Sequence, residues 1–258
     1  RALARMGLVP LIIGGHEHDP FLEQLGSTTL SKAGSDATHA AVITIELSRV
    51  PKVKVIHEAV AGFAIDPAVQ RVVDEARALV ERTAGTVLLE LKKPLSSKGA
   101  RSKQTSMGTF VTSVLRDALH ADAAVFNGGG LRGTSARERR FTFGDLMEEL
   151  PFENEIVLVP LPGAVLREAI AFSRRKAPAS DGGFLQVDDG LELAADQRTV
   201  VSVGGRPLDE RRIYRVAVPR AHLLGLDRIE PLETYAKATP GLVPAPLTGR
   251  PPRLIVLD

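Results

Sequence analysis

Two short runs carry the residue types that do chemistry. The first is Gly14-Gly15-His16-Glu17-His18, placed directly after the apolar run Val9-Pro-Leu-Ile-Ile13. A buried strand that ends in a tight turn is where α/β folds present ligands. In extended backbone, side chains two apart point the same way, so His16 and His18 share one face. Paired metals in phosphatase-type centres lie about 3.5–4 Å apart, a spacing at which neighbouring imidazoles can each take one ion. The two glycines let other groups approach the backbone without a Cβ in the way. His39, His57, His120 and His222 lack such a setting and read as structural.

The second run is Asn127-Gly128-Gly129-Gly130-Leu131-Arg132. Three glycines after a strand let a flat ligand lie against the main chain. Asn127 brings a donor and an acceptor that suit the edge of a base. Arg132 brings a planar fork of donors for hydroxyls, carboxylates or phosphates. On glycine content alone, a tight structural turn is the simpler account. The run is not a dinucleotide fingerprint, because the Gly-x-Gly-x-x-Gly spacing and the helix start are missing.

The elements that must position these runs are α/β in pattern. Apolar residues make up 44% of the 258, enough for a sizeable core, and no stretch has the roughly 18 consecutive apolar residues of a membrane span. Formal net charge is +2. The densest basic cluster, Arg137, Arg139 and Arg140, is broken by Glu138, so no basic stripe marks a nucleic acid polymer as partner. Cysteine is absent, which excludes disulfides, thiolate metal sites and cysteine nucleophiles.

Three regions are expected. Residues 1–62 read as strands with tight turns, including 9–13, the alternating 41–47 and 53–56. The chain begins at Arg1 on what reads as a helix tail, an opening expected of a piece of something longer. Residues 63–84 hold a connecting helix: Asp66 is a good N-cap, Pro67 fits the first helical position, and valines recur at helical spacing. Residues 85–258 alternate strands (86–91, 123–126, 155–160, 200–203, 214–218) with helices (106–118, 143–150, 163–173). The proline-rich stretch 240–252 reads as extended and packed on the surface.

Taken together, these motifs resemble the 5'-nucleotidase family. Asn127 to Arg132 is similar to the Asn-Gly-Gly-Gly-Ile-Arg signature of its C-terminal domain. Leu150-Pro-Phe-Glu-Asn154 is similar to its Leu-Pro-Phe-x-Asn segment, and Leu161-Pro-Gly-Ala-Val-Leu166 to its Leu-x-Gly-x-x-Leu helix start. Arg101-Ser-Lys-Gln-Thr-Ser-Met-Gly108, Gly183 to Val187, Gly205 to Asp209 and Tyr214 to Ala217 follow in the family's order. Gly15-His16-Glu17-His18, with Ser31 to Asp36, resembles the closing Gly-His-x-His segment of the family's calcineurin-like metallophosphoesterase domain.

The resemblance implies a fold class: the end of a metallophosphoesterase sandwich (1–62), a connecting helix (63–84) and a substrate-binding domain (85–258). It implies that His16 and His18 bind one each of two divalent ions, zinc, manganese or similar. It further implies that Arg101, Asn127, Gly129, Gly130, Arg132, Phe152 and Asp227 contact a nucleotide or nucleoside. Phe152 is then one face of an aromatic sandwich around the base. The activity implied is release of phosphate from nucleotides in a periplasmic or extracellular setting.

The sequence also departs from the family. No Asp-x-His and no Asn-His occurs, so the other ligands of a dinuclear site are missing and the chain is not expected to hydrolyse phosphate esters unaided. Ala221 or His222 stands where the second stacking phenylalanine is expected. Leu226-Asp227-Arg228 replaces Gly-Asp-Gly, and Gln104 stands where the family often has Glu. These departures leave a non-catalytic nucleoside-binding module, a cyclic nucleotide phosphodiesterase and a nucleotide-sugar hydrolase as alternatives.

Overall fold

The computed structural model describes residues 1–16, 19–133 and 135–257, with Leu79 described by its backbone alone. The chain divides into two compact units, Arg1–Glu75 and Ala76–Asp258.

In the first unit a short helix α1 (Ala2–Arg5) precedes β1 (Leu11–Ile13), β2 (Pro20–Leu25) and β3 (Thr28–Ala33). These form a sheet in the order β1-β3-β2, with β1 parallel and β2 antiparallel to β3. The β2–β3 hairpin turns at Gly26, whose φ of 62° favours glycine, but 20–25 and 28–33 were not anticipated as strands. β4 (His39–Glu46) and β5 (Lys52–Ala59) make a second antiparallel hairpin. The strand expected over 9–13 is confined to 11–13.

Helix α2 (Pro67–Ala84) contains the boundary between the units. Asp66 caps it, its carboxylate accepting from the Ala68 and Val69 amides at 2.7 and 3.2 Å.

The second unit holds β6 (Val87–Glu90), α3 (Ser106–Ala118), β7 (Ala123–Asn127), β8 (Arg140–Thr142), α4 (Phe143–Glu149), β9 (Ile156–Pro162) and α5 (Gly163–Ser173). It continues through β10 (Leu185–Val187), β11 (Leu191–Leu193), β12 (Val200–Val203), β13 (Arg206–Pro207) and β14 (Ile213–Pro219). Three helices close it: α6 (Arg220–Leu223), α7 (Glu230–Ala238) and α8 (Pro252–Leu257). Its central sheet runs β10-β7-β14-β9, with β7 and β14 parallel and the outer pairs antiparallel.

Strand alternation builds a core on each face of that sheet. Ala123 and Val125 pack with Val157, Val159, Leu161 and the apolar sides of α5 and α7. Ala124 and Phe126 face the other way, onto Met107, Val111 and Leu115 of α3, Leu146 of α4 and Ile255 of α8. β7 is therefore buried along its whole length and delivers Asn127 at its end. The sequence pattern missed α7 and α8, and the stretch 240–252 expected to be extended opens with a 3-10 turn at Pro240–Leu242. Pro252 opens α8, whose Ile255 is fully packed because a helix seats it against α3.

Candidate functional site

The turn after β7 is crowded, and crowding is why it is glycine. None of Gly128, Gly129 and Gly130 has a positive φ, so unusual backbone conformation, the reason expected from sequence, is not what requires them. A Cβ on Gly128 would lie 2.0 Å from the Ala100 carbonyl oxygen. One on Gly129 would lie 3.0 Å from the Gly182 oxygen, and one on Gly130 would meet the Phe126 ring at 2.6 Å. Two amides fasten the turn, Gly128 N–H to the Phe184 oxygen and Gly129 N–H to the Gly182 oxygen, both at 2.8 Å.

Asn127 folds back over this turn. Its Nδ2 donates to Asp227 Oδ2 at 2.9 Å, and its buried Oδ1 has no partner. His222 Nε2 lies 3.2 Å from the same Asp227 oxygen. A carboxylate oxygen only accepts, so Nε2 carries a proton, while Nδ1 is buried without a partner among the described residues. Asp227 reaches this position from a left-handed backbone, φ 57°, after Gly225 at φ 97°. Its Oδ1 faces Gly182. His222, read as structural from sequence, is thus fully buried against a candidate ligand contact.

At the other end of the turn, the Arg132 guanidinium lies 5.6 Å from the centre of the Phe152 ring, a cation–π geometry. Phe152 is 44% exposed, so one aromatic face is open to a ligand. The Arg132 amide donates to the Glu149 carbonyl at 3.0 Å, which ties the turn to the end of α4. Arg101 enters from the loop before α3: its backbone packs beside Gly128, its carbonyl accepts from the Asp181 amide at 2.8 Å, and its side chain is exposed. A cleft of about 360 Å³ lies here, lined by Arg101, Lys98, Gly128 and Leu131 among others.

Two buried polar groups hold the site and were not singled out from sequence. Gln186, wholly buried on β10, accepts from the Thr105 amide at 2.8 Å and donates to the Ala100 and Lys103 carbonyls at 2.8 and 2.7 Å. It pins both ends of the Arg101 loop. Gly108 makes room for it, since a Cβ there would lie 2.1 Å from Gln186 Oε1. Glu149, also wholly buried, has its carboxyl pushed above the usual range by burial, with hydrogen bonds from Ser97 and the Gly133 backbone opposing the shift. Its Oε1 has no partner among the described residues.

His16 is exposed at φ 76°, a left-handed backbone, so the strand alternation expected to carry it onto a common face with His18 stops at this residue. His18 and Glu17 lie outside the described residues. Among the described residues no group of three His, Cys, Asp or Glu could hold a metal ion. His16 alone does not fit a dinuclear centre. Also among the described residues, no helix is long and apolar enough to cross a membrane.

The chain is similar to known proteins over most of its second unit. The family model of the 5'-nucleotidase C-terminal domain matches residues 83–234, a span that contains Arg101, Asn127, Arg132, Phe152 and Asp227. Protein UshA of Yersinia enterocolitica is 31% identical over 147 residues, covering 54% of this chain and 26% of that protein. A 5'-nucleotidase of Vibrio parahaemolyticus is 27% identical over 136 residues, covering 52% and 24%. The crystal structure of a 5'-nucleotidase precursor from Thermus thermophilus shares the fold with a TM-score of 0.57 at 20% identity, over 87% of this chain and 52% of that one. The chain thus spans about a quarter of these curated relatives and about half of that solved structure.

Proposed function

The chain belongs to the 5'-nucleotidase family, a family of hydrolases, through its C-terminal domain, and from that membership we propose that residues 85–258 grip a nucleoside or nucleotide for a metal-dependent phosphohydrolase that releases phosphate from it. The observation that carries this reading is the convergence on one glycine turn of a base-edge donor and acceptor, a carboxylate and a cation–aromatic pair. Residues 1–62 are read as the end of the metallophosphoesterase domain and 63–84 as its connector. His16 and His18 are read as two of the ligands of a two-ion centre whose other ligands this sequence does not contain.

The roles follow from chemistry. The open face of Phe152 stacks on a base, which any nucleobase can accept. The unpartnered Asn127 Oδ1 is available to a donor on the ligand. Asp227 keeps Oδ1 for a sugar hydroxyl while Oδ2 is held by Asn127 and His222. Arg132 and Arg101 supply positive charge for hydroxyls or phosphate. Divalent ions held by the complete enzyme would supply Lewis-acid activation of water, and export to the periplasm or beyond goes with that reading. No basic stripe supports a polymeric nucleic acid as ligand.

Isothermal titration with adenosine and AMP tests the reading. Saturable binding that is lost in Arg132→Ala is expected. Absence of binding by the folded wild-type chain would rule the reading out.

A further inference from the structure

On the side of the Arg101 loop away from the glycine turn lies a second cleft, of about 380 Å³. Its floor includes Arg174, at the end of α5 and only 1% exposed. Every acceptor of this guanidinium is neutral. Nε and Nη2 donate to the Leu185 carbonyl at 3.1 and 2.6 Å, Nη1 to the Gln197 carbonyl at 2.9 Å, and Nη2 also to Gln104 Oε1 at 2.6 Å. Its plane lies over Phe184 at 4.6 Å. Buried charges are ordinarily matched by an opposite charge. Burial lowers this group to about 10, so it stays cationic at neutral pH.

Two more cations, Lys103 and Arg198, stand exposed in the lining, and neither has an ion pair among the described residues. The one carboxylate in the lining, Asp196, is spent on its own turn: it accepts from the Arg198 and Thr199 amides, each at 2.9 Å, and from Thr199 Oγ1 at 2.7 Å. Three cations against one carboxylate leave the lining at +2. Pro178 and Phe184 add apolar surface to the lining, and the volume exceeds what one phosphate fills.

We propose that this cleft is a second binding site, separate from the glycine turn, which takes a small phosphate dianion, free or as the head of a short monoester. Arg198 and Lys103 contact the phosphate, a fork and a point charge suited to its oxygens. Arg174 supplies the buried positive field and is itself held by the backbone. The site touches the loop of the candidate nucleoside site, because Ser102 lines both clefts and Gln104, partner of Arg174, lies three residues after Arg101. The inference does not depend on what the glycine turn binds.

The test is calorimetric titration of the whole chain with inorganic phosphate and, separately, with glycerol 3-phosphate. Saturable binding is expected, weakened about tenfold or more in the Lys103→Ala/Arg198→Ala double variant. Both substituted side chains are exposed, and an unchanged melting temperature verifies the fold of the double variant. Tighter binding of glycerol 3-phosphate assigns the apolar wall to a monoester; equal or tighter inorganic phosphate assigns the site to the free ion. No saturable binding of either probe, or an affinity the double variant leaves intact, would overturn the proposal.

Discussion

The Asn127 amide donates to the Asp227 carboxylate at 2.9 Å across 100 residues of sequence, joining the end of β7 to the left-handed turn before α7. Asn127 is 5% exposed, so its amide depends on that acceptor. Asp227→Ala leaves a buried donor unsatisfied beside an already unpartnered Oδ1, at a cost of about 1–3 kcal/mol. A lower urea midpoint with unchanged slope is expected, together with loss of nucleoside binding. Unchanged stability and binding would show that Asp227 holds neither.

Phe152 separates binding from stability. With 44% of its surface exposed it contributes little to the core. Its open face is expected to contribute about 1–3 kcal/mol to base stacking. Phe152→Ala should weaken adenosine binding about tenfold while shifting the melting temperature little. Phe152→Tyr should restore the affinity, and a large loss of stability in the alanine variant would reassign the ring to packing.

The glycine turn tolerates no side chain at its first position. Gly128→Ala puts a methyl 2.0 Å from the backbone oxygen of Ala100, an atom that cannot swing aside. Overpacking of about 1–3 kcal/mol and displacement of the Arg101 loop are expected. Gly15, whose Cβ would meet nothing within 4 Å, is the control: Gly15→Ala should melt with the wild type.

Much of this was legible in the sequence. Strand β7, the glycine turn and the Phe152 segment show as local patterns, because apolar runs, glycine and proline act on their immediate neighbours. The first-unit strands 20–25 and 28–33 did not, since Gln24, Thr28, Thr29 and Ser31 give them no clean alternation. Helix α7 is nine residues with few apolar positions and was hidden for the same reason. Gln186 and Glu149 could not be found: their partners are distant in sequence, up to 86 residues for Gln186 and 52 for Glu149, and nothing local marks a polar residue as buried. The sequence did carry Gly108, whose only reason in the fold is the Gln186 side chain.

Glu149 gives the unit a measurable pH dependence. Ser97 has one hydroxyl proton and two acceptors, the Gly133 carbonyl at 3.1 Å and Glu149 Oε2 at 3.2 Å. A protonated Glu149 resolves the conflict by donating to Ser97. Burial raises the folded carboxyl above its ordinary 4.5, so the native state holds the extra proton. Stability from this group is therefore full below pH 4.5 and falls as pH rises towards the raised folded value. Glu149→Gln mimics the protonated form. The melting temperature of the variant minus that of wild type should be near zero in acid and grow as the pH rises above 4.5. A difference independent of pH would show that Glu149 is ionised in the fold.

The most direct test of the nucleoside site is an amide NMR map of the chain titrated with adenosine. Shifts concentrated on the Asn127 side-chain amide, Gly128 to Arg132, Phe152 and Asp227, and absent in Arg132→Ala, are the expected result. Saturating shifts that leave those residues unmoved, or none at all in a folded chain, would contradict the assignment of the glycine turn as the nucleoside grip.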